Sequence, residues 1–161
     1  MNFNPSDLQG VLPALILAAG ALVLLTSEVF LRAVRPEALG GAGVQARPVS
    51  AASADRRYQA WLAAVFAGLA LWAAVSQMGE PAAPLFAGAA VTDGFARVVA
   101  AVVCGALVLS CFVSFGYLEA LRATRGEYYA LALFSASGMC LLGQATDLIV
   151  IFISLEVMSL A

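Results

Sequence analysis

The sequence predicts an all-α membrane protein: a polytopic bundle of transmembrane helices, four full spans followed by a truncated fifth. Three observations lead there. Hydrophobic residues make up 63% of the 161 and charged ones 11%, with a mean hydropathy of +0.95, more apolar material than a water-soluble domain of this length can hide. The apolar residues gather into runs suited to a ~30 Å hydrocarbon core, which takes about 20 residues of helix. In lipid the backbone must also satisfy its own polar groups, so such runs are read as helices and not strands.

The first run, 11–31, is purely apolar until Thr26, Ser27 and Glu28 near its end. Only Asp7 precedes it as a charge, with no basic segment, so it reads as a retained anchor and not a cleaved signal peptide. The second, 60–78, is entered through Tyr58 and Trp61, which suit the membrane interface. Its alanines Ala63, Ala67, Ala70 and Ala74 recur at near-helical spacing and form a surface for close helix approach. The third run is 98–118. The fourth, 128–145, is shorter and opens with Tyr128 and Tyr129. The fifth is 148–161. Gly105, Gly116 and Gly138 read as packing positions, and Gly138 also permits local bending.

Residues 36–55 are rich in Gly, Ala, Pro and Ser with no periodic apolar face, the composition of a flexible loop. The next connection, "GEPAAPLFAGAAVTDG", carries prolines and glycines and reads as a structured external loop. Orientation follows from arginine placement. Arg32, Arg35, Arg47, Arg56 and Arg57 fall in the first connection and Arg122 and Arg125 in the third, while Arg97 stands alone on the other side. The positive-inside rule makes the first and third loops cytoplasmic and places the N-terminus outside.

Composition excludes much chemistry. All 8 basic residues are arginines and there is no histidine, which removes Ser–His–Asp triads, His-ligated metals, Schiff-base lysines and P-loop lysines from this chain. A net charge of −2 with no basic, aromatic-studded face argues against nucleic-acid binding. Cys104, Cys111 and Cys140 lie inside apolar segments; Cys104 and Cys111 share a helix face, and all three read as small hydrophobes.

The chemistry-bearing candidate is Glu156, inside "LIVIFISLEVMSLA". If the fifth helix enters near Asp147, Glu156 lies about 13.5 Å down, close to the bilayer centre. A charge there costs roughly 2.5–3.5 kcal/mol on insertion scales. Such a carboxylate persists when protonated, paired or beside water, and hydrocarbon favours its neutral form. Two readings follow: a proton-relay carboxylate with Ser154 and Ser159 helping to hydrate a path, or a neutral glutamate hydrogen-bonded to a neighbouring helix. Asp147 suits a helix N-cap and Glu127 the same role, while Glu28 suits pairing with Arg32 one turn on.

From Asp93 onward, "DGFARV", "YLE", "RGEYYALALFSASGMCLL" and "DLIVIFISLEVMSL" resemble subunit N of bacterial NADH-quinone oxidoreductase, respiratory complex I. The opening "LPALILAAGALVLL" resembles the family's first helix, although Ala14 stands where the family has an acidic residue. The resemblance implies an antiporter-like subunit of the membrane arm, built from inverted helix repeats with charged residues at mid-membrane. It implies that Glu156 matches the family's proton-path glutamate, whose partner lysine lies on a seventh helix beyond these residues. The expectation is therefore an N-terminal piece of a longer chain, inactive alone.

On this reading the chain binds no cofactor itself, and NADH, flavin, iron–sulfur clusters and quinone belong to other subunits. Its partners are the other membrane-arm subunits, the bilayer and protons, in a bacterial inner membrane. Two other readings remain open: a subunit of a multi-subunit cation/proton antiporter, which shares the fold, and a non-catalytic membrane scaffold.

Overall fold

The computed structural model describes residues 5–33, 49–120 and 126–161, with side-chain surroundings for 7–30, 58–114 and 127–161. Its helices are α1 (Pro5–Gly10), α2 (Leu12–Ala33), α3 (Val49–Ser76), α4 (Gly94–Ala120), α5 (Gly126–Gln144) and α6 (Leu148–Leu160). The molecule is a mostly helical bundle. Among the described residues, three stretches are long and apolar enough to cross a membrane: Leu12–Phe30, Tyr58–Ser76 and Gly94–Ser114. Of the other two expected spans, α6 is a shorter apolar helix. The ends of α5, with Glu127, Tyr128, Tyr129 and Gln144, dilute its hydropathy.

That dilution suits its position. Helix α5 packs against α2, α3, α4 and α6, so it needs less lipid-facing surface. Buried residues recur at spacings of three and four along each helix. They are Ala14, Leu17, Ala21 and Leu24 on α2; Ala96, Ala100, Cys104, Leu107 and Cys111 on α4; and Ala130, Leu133, Ala136 and Cys140 on α5. Most are small, which lets the helices approach closely where lipid supplies no hydrophobic drive. The alanine face expected on the second span is present: Ala63, Ala67, Ala70 and Ala74 are buried. Large side chains such as Trp72, Phe95 and Val113 point outward.

Two sequence expectations change. Residues 49–55, placed in a loop, are the first turns of α3; Ala51, Ala52 and Ala54 favour helix, and Pro48 stands just before the first turn, where proline marks a boundary. The rest of that loop, 36–48, lies outside the described residues, as do the surroundings of Gly116. A Cβ on Gly105 would meet nothing within 4 Å, so it is no packing contact. The connection between α3 and α4, expected as a structured loop, is built on a hairpin: β1 (Ala83–Leu85) and β2 (Ala90–Thr92) pair antiparallel with Leu85 opposite Ala90. Its turn passes through left-handed backbone at Phe86, Ala87 and Gly88, which glycine alone adopts without penalty.

The hairpin seals one end of the bundle. Leu85 and Ala90 bury against Val11. Thr146 donates from Oγ1 to the Gly88 carbonyl at 2.6 Å, and the N–H groups of Thr146 and Asp147 reach the Ala89 carbonyl. The α5–α6 turn is thereby fixed to the hairpin. Asp93 caps α4, accepting from the Ala96 N–H at 2.8 Å.

Candidate functional site

Helix α6 carries Glu156. Asp147 caps the helix as its sequence position suggests, with Oδ1 accepting from the Ile149 N–H at 3.3 Å. Gly138 sets how α6 sits. A Cβ there would lie 2.9 Å from both the Ser154 carbonyl oxygen and the Met158 nitrogen, so the backbones of α5 and α6 touch at this crossing. Ser154 is buried in the contact and donates to its own helix, at the Val150 carbonyl, at 2.7 Å.

Rotation then decides where the carboxylate goes. Two residues turn a helix by about 200°, so with Ser154 against α5, Glu156 points the other way. It is exposed, on a stripe with Ile149, Phe152, Ile153 and Leu160, whose side chains are also exposed. Ser159 is exposed on the same side, whereas Ser154 faces α5 and does not join Glu156. Among the described residues, none hydrogen-bonds or ion-pairs with Glu156. The geometry therefore presents a lone carboxylate in the middle of an apolar helix face.

The other carboxylate in an apolar helix, Glu28, meets a residue the sequence reading passed over. Gln59 of α3 donates from Nε2 to Glu28 Oε2 at 2.6 Å, and Gln59 is buried. The surroundings of Arg32, the expected partner, lie outside the described residues. A polar residue facing an apolar run one helix away was the available signal.

Glutamines also serve the break between α1 and α2. Pro13 has no N–H, which frees the Gln9 carbonyl from its helical bond. Gln77, in the turn after α3, donates to that carbonyl at 2.8 Å, and Gln144 of α5 donates to the Gly10 carbonyl at 3.0 Å. Ser137 donates to the Ala14 carbonyl at 3.0 Å. Arg97, the lone arginine at this end, is buried and donates to the carbonyls of Glu80 and Pro81, the second at 2.9 Å. It holds the lead-in to the hairpin. These groups order the bundle and form no metal cage: among the described residues, no three His, Cys, Asp or Glu converge.

A bundle of apolar helices with one carboxylate on an open helix face defines a polytopic membrane protein. No family model matches the chain. It is 37% identical over 160 residues to NADH-quinone oxidoreductase subunit N of Myxococcus xanthus, covering 99% of the chain and 27% of the relative. It is 31% identical over 159 residues to subunit N 1 of Solibacter usitatus, covering 99% and 28%. With subunit N of Chloroflexus aggregans the identity is 32% over 166 residues, covering 99% and 29%. Over nearly its whole length the chain is similar to NADH-quinone oxidoreductase subunit N. It spans less than a third of the length of these relatives.

Proposed function

We propose that the chain is part of a proton-translocating membrane subunit of NADH-quinone oxidoreductase, and that Glu156 is a relay carboxylate that takes up and releases a proton. The observation that carries this is the placement of Glu156 on the open face of α6, in the middle of the helix, turned away from the α5 contact. An ionisable group at such depth is costly and marks a proton or ion path. Kinship with the subunit N family supplies the rest. Electron transfer, with NADH, flavin, iron–sulfur clusters and quinone, takes place in other subunits, and the neighbouring membrane-arm subunits are the partners.

In this reading α5 and α6 also traverse the bilayer, with α5 shielded by its neighbours. Arginine placement sets the N-terminus outside and the first and third connections in the cytoplasm. The test is Glu156→Gln in the full-length subunit within its complex, measuring protons moved per NADH oxidised. Reduced pumping with retained assembly is expected, and unchanged pumping overturns the relay. Na⁺/H⁺ exchange independent of NADH would favour a cation/proton antiporter instead.

A further inference from the structure

Where α3 and α4 meet, at the end of the bundle away from the hairpin, their outer surface opens into a small apolar cleft. Ala60, Trp61 and Ala64 of α3 line it with Cys111 and Phe112 of α4. Ala60 and Cys111 are buried and form its floor, while Trp61 and Phe112 are exposed and form two aromatic walls. Such a slot admits a flexible hydrocarbon chain and offers a polar ligand no carboxylate, amide or hydroxyl. The apolar stretches of the two helices begin at Tyr58 and end at Ser114 here. Residues 60–64 therefore lie about 3–9 Å inside the membrane boundary, which exposed Tyr58 and Trp61 mark. Just outside it, α3 carries Arg56 and Arg57. Residues 57, 60, 61 and 64 follow the i, i+3, i+4, i+7 pattern, so Arg57 shares the helix face of the cleft. In the chain flanking the cleft, Arg56, Arg57 and Arg122 outnumber Asp55 and Glu119.

We infer that this cleft binds an anionic phospholipid, with one acyl chain between Trp61 and Phe112 and the phosphate at the level of Arg56 and Arg57. An apolar slot alone takes any lipid tail, and arginines at a membrane surface alone attract any anionic headgroup. Placed one turn apart on one helix face, they select a lipid that carries both. The indole N–H of Trp61 adds a donor suited to phosphate or ester oxygens. The bound lipid lies across the seam between α3 and α4. The site rests on the bundle crossing a membrane and not on the proton relay.

The test places the full-length protein, in its assembled complex, in phosphatidylcholine nanodiscs with a trace of phosphatidylglycerol bearing a diazirine on one acyl chain. A phosphatidylcholine with the same diazirine serves as the second probe. After illumination, peptide mass spectrometry locates the labelled residues. Trp72 is exposed on the same face of α3, three turns along and near the other end of the span, so it reports contact with bulk lipid. Labelling at Trp61 or Phe112 should be about tenfold stronger with the phosphatidylglycerol probe and suppressed by excess unlabelled phosphatidylglycerol. Trp72 should label equally with both probes. Ala64→Phe, which fills the slot, should remove the preferred labelling, and Arg56→Gln with Arg57→Gln should equalise the two probes. Equal labelling of the walls by both probes in the wild type overturns the inference. So does absence of label at both walls while Trp72 is labelled, the outcome if a neighbouring subunit covers the cleft. The wild-type outcome alone decides, so a variant that fails to assemble does not obscure it.

Discussion

Gly138 lies so close to Ser154 that the two helices meet backbone to backbone, with 2.9 Å between an ideal Cβ on the glycine and the Ser154 carbonyl oxygen. This contact fixes the rotation of α6 and therefore the direction of Glu156. A methyl group here meets backbone, which cannot swing aside.

Gly138→Ala is accordingly expected to push α6 outward and destabilise the α5–α6 pair by about 1–3 kcal/mol, the range for overpacking. Gly138→Leu, which cannot be accommodated without moving the helix, reorients the carboxylate as well. Thermal denaturation of the full-length protein in detergent reads the first effect. Accessibility of a cysteine introduced at Glu156 to a membrane-impermeant maleimide reads the second. An Ala variant as stable as the parent would show that α6 is held elsewhere.

The proline break gives a sharper comparison. Gln144 gives one amide hydrogen to Gly10, yet its Oε1 is buried without a partner among the described residues. Gln144→Leu loses the bond but also removes the stranded oxygen, so it costs about 1 kcal/mol or less. Gln144→Glu keeps the shape, loses the donor and aims a carboxylate at a carbonyl. It is expected to cost about 3 kcal/mol or more, or to fold only when protonated. Equal melting temperatures for the two variants would refute this account of the break.

Arg97 has no carboxylate partner in the contacts it makes; its hydrogen bonds go to the carbonyls of Glu80 and Pro81. Bonds from a charged donor contribute about 1.5–3 kcal/mol. In Arg97→Met the hairpin loses its anchor while α4 keeps its Asp93 cap. Amide hydrogen exchange at Leu85, Ala90 and Thr92 should then accelerate about tenfold or more, with exchange inside α4 unchanged. Arg97→Lys, reaching one carbonyl at a time, falls between. Acceleration spread evenly over the bundle would mean that Arg97 supports the whole fold and not the hairpin.

What the residues announce and what they conceal follow from sequence distance. Apolar runs announce helices because lipid demands them, and the 63, 67, 70, 74 alanine spacing announces a packing face because the helix period is local. Glu156 announces itself as a carboxylate where hydrocarbon should be. Its direction is hidden, since that depends on the Gly138 contact with another helix. The Gln144–Gly10 bond joins residues 134 positions apart, and no local pattern pairs them. The hairpin is equally silent: "APLFAGAAV" has no polar–apolar alternation, and its order comes from Leu85 seating against Val11 and from the Ala89 carbonyl holding the α5–α6 turn.

The Glu28–Gln59 bond joins α2 to α3 at the end of the bundle away from the hairpin, at 2.6 Å. Glu28 is half-buried, so water discounts the full charged hydrogen-bond contribution, and a coupling of about 1 kcal/mol is expected. A double-mutant cycle of Glu28→Ala and Gln59→Ala, read by thermal denaturation of the full-length protein, isolates this pair from whatever else either side chain touches. Gln59→Glu should be worse than Gln59→Ala, because it sets two carboxylates face to face and leaves no donor between them. Protonating one of them restores a donor, so that variant should recover stability as the pH falls, while Gln59→Ala should not. A coupling energy of zero, or a Gln59→Glu variant indifferent to pH, would mean that the two helices are held by their alanine seam alone.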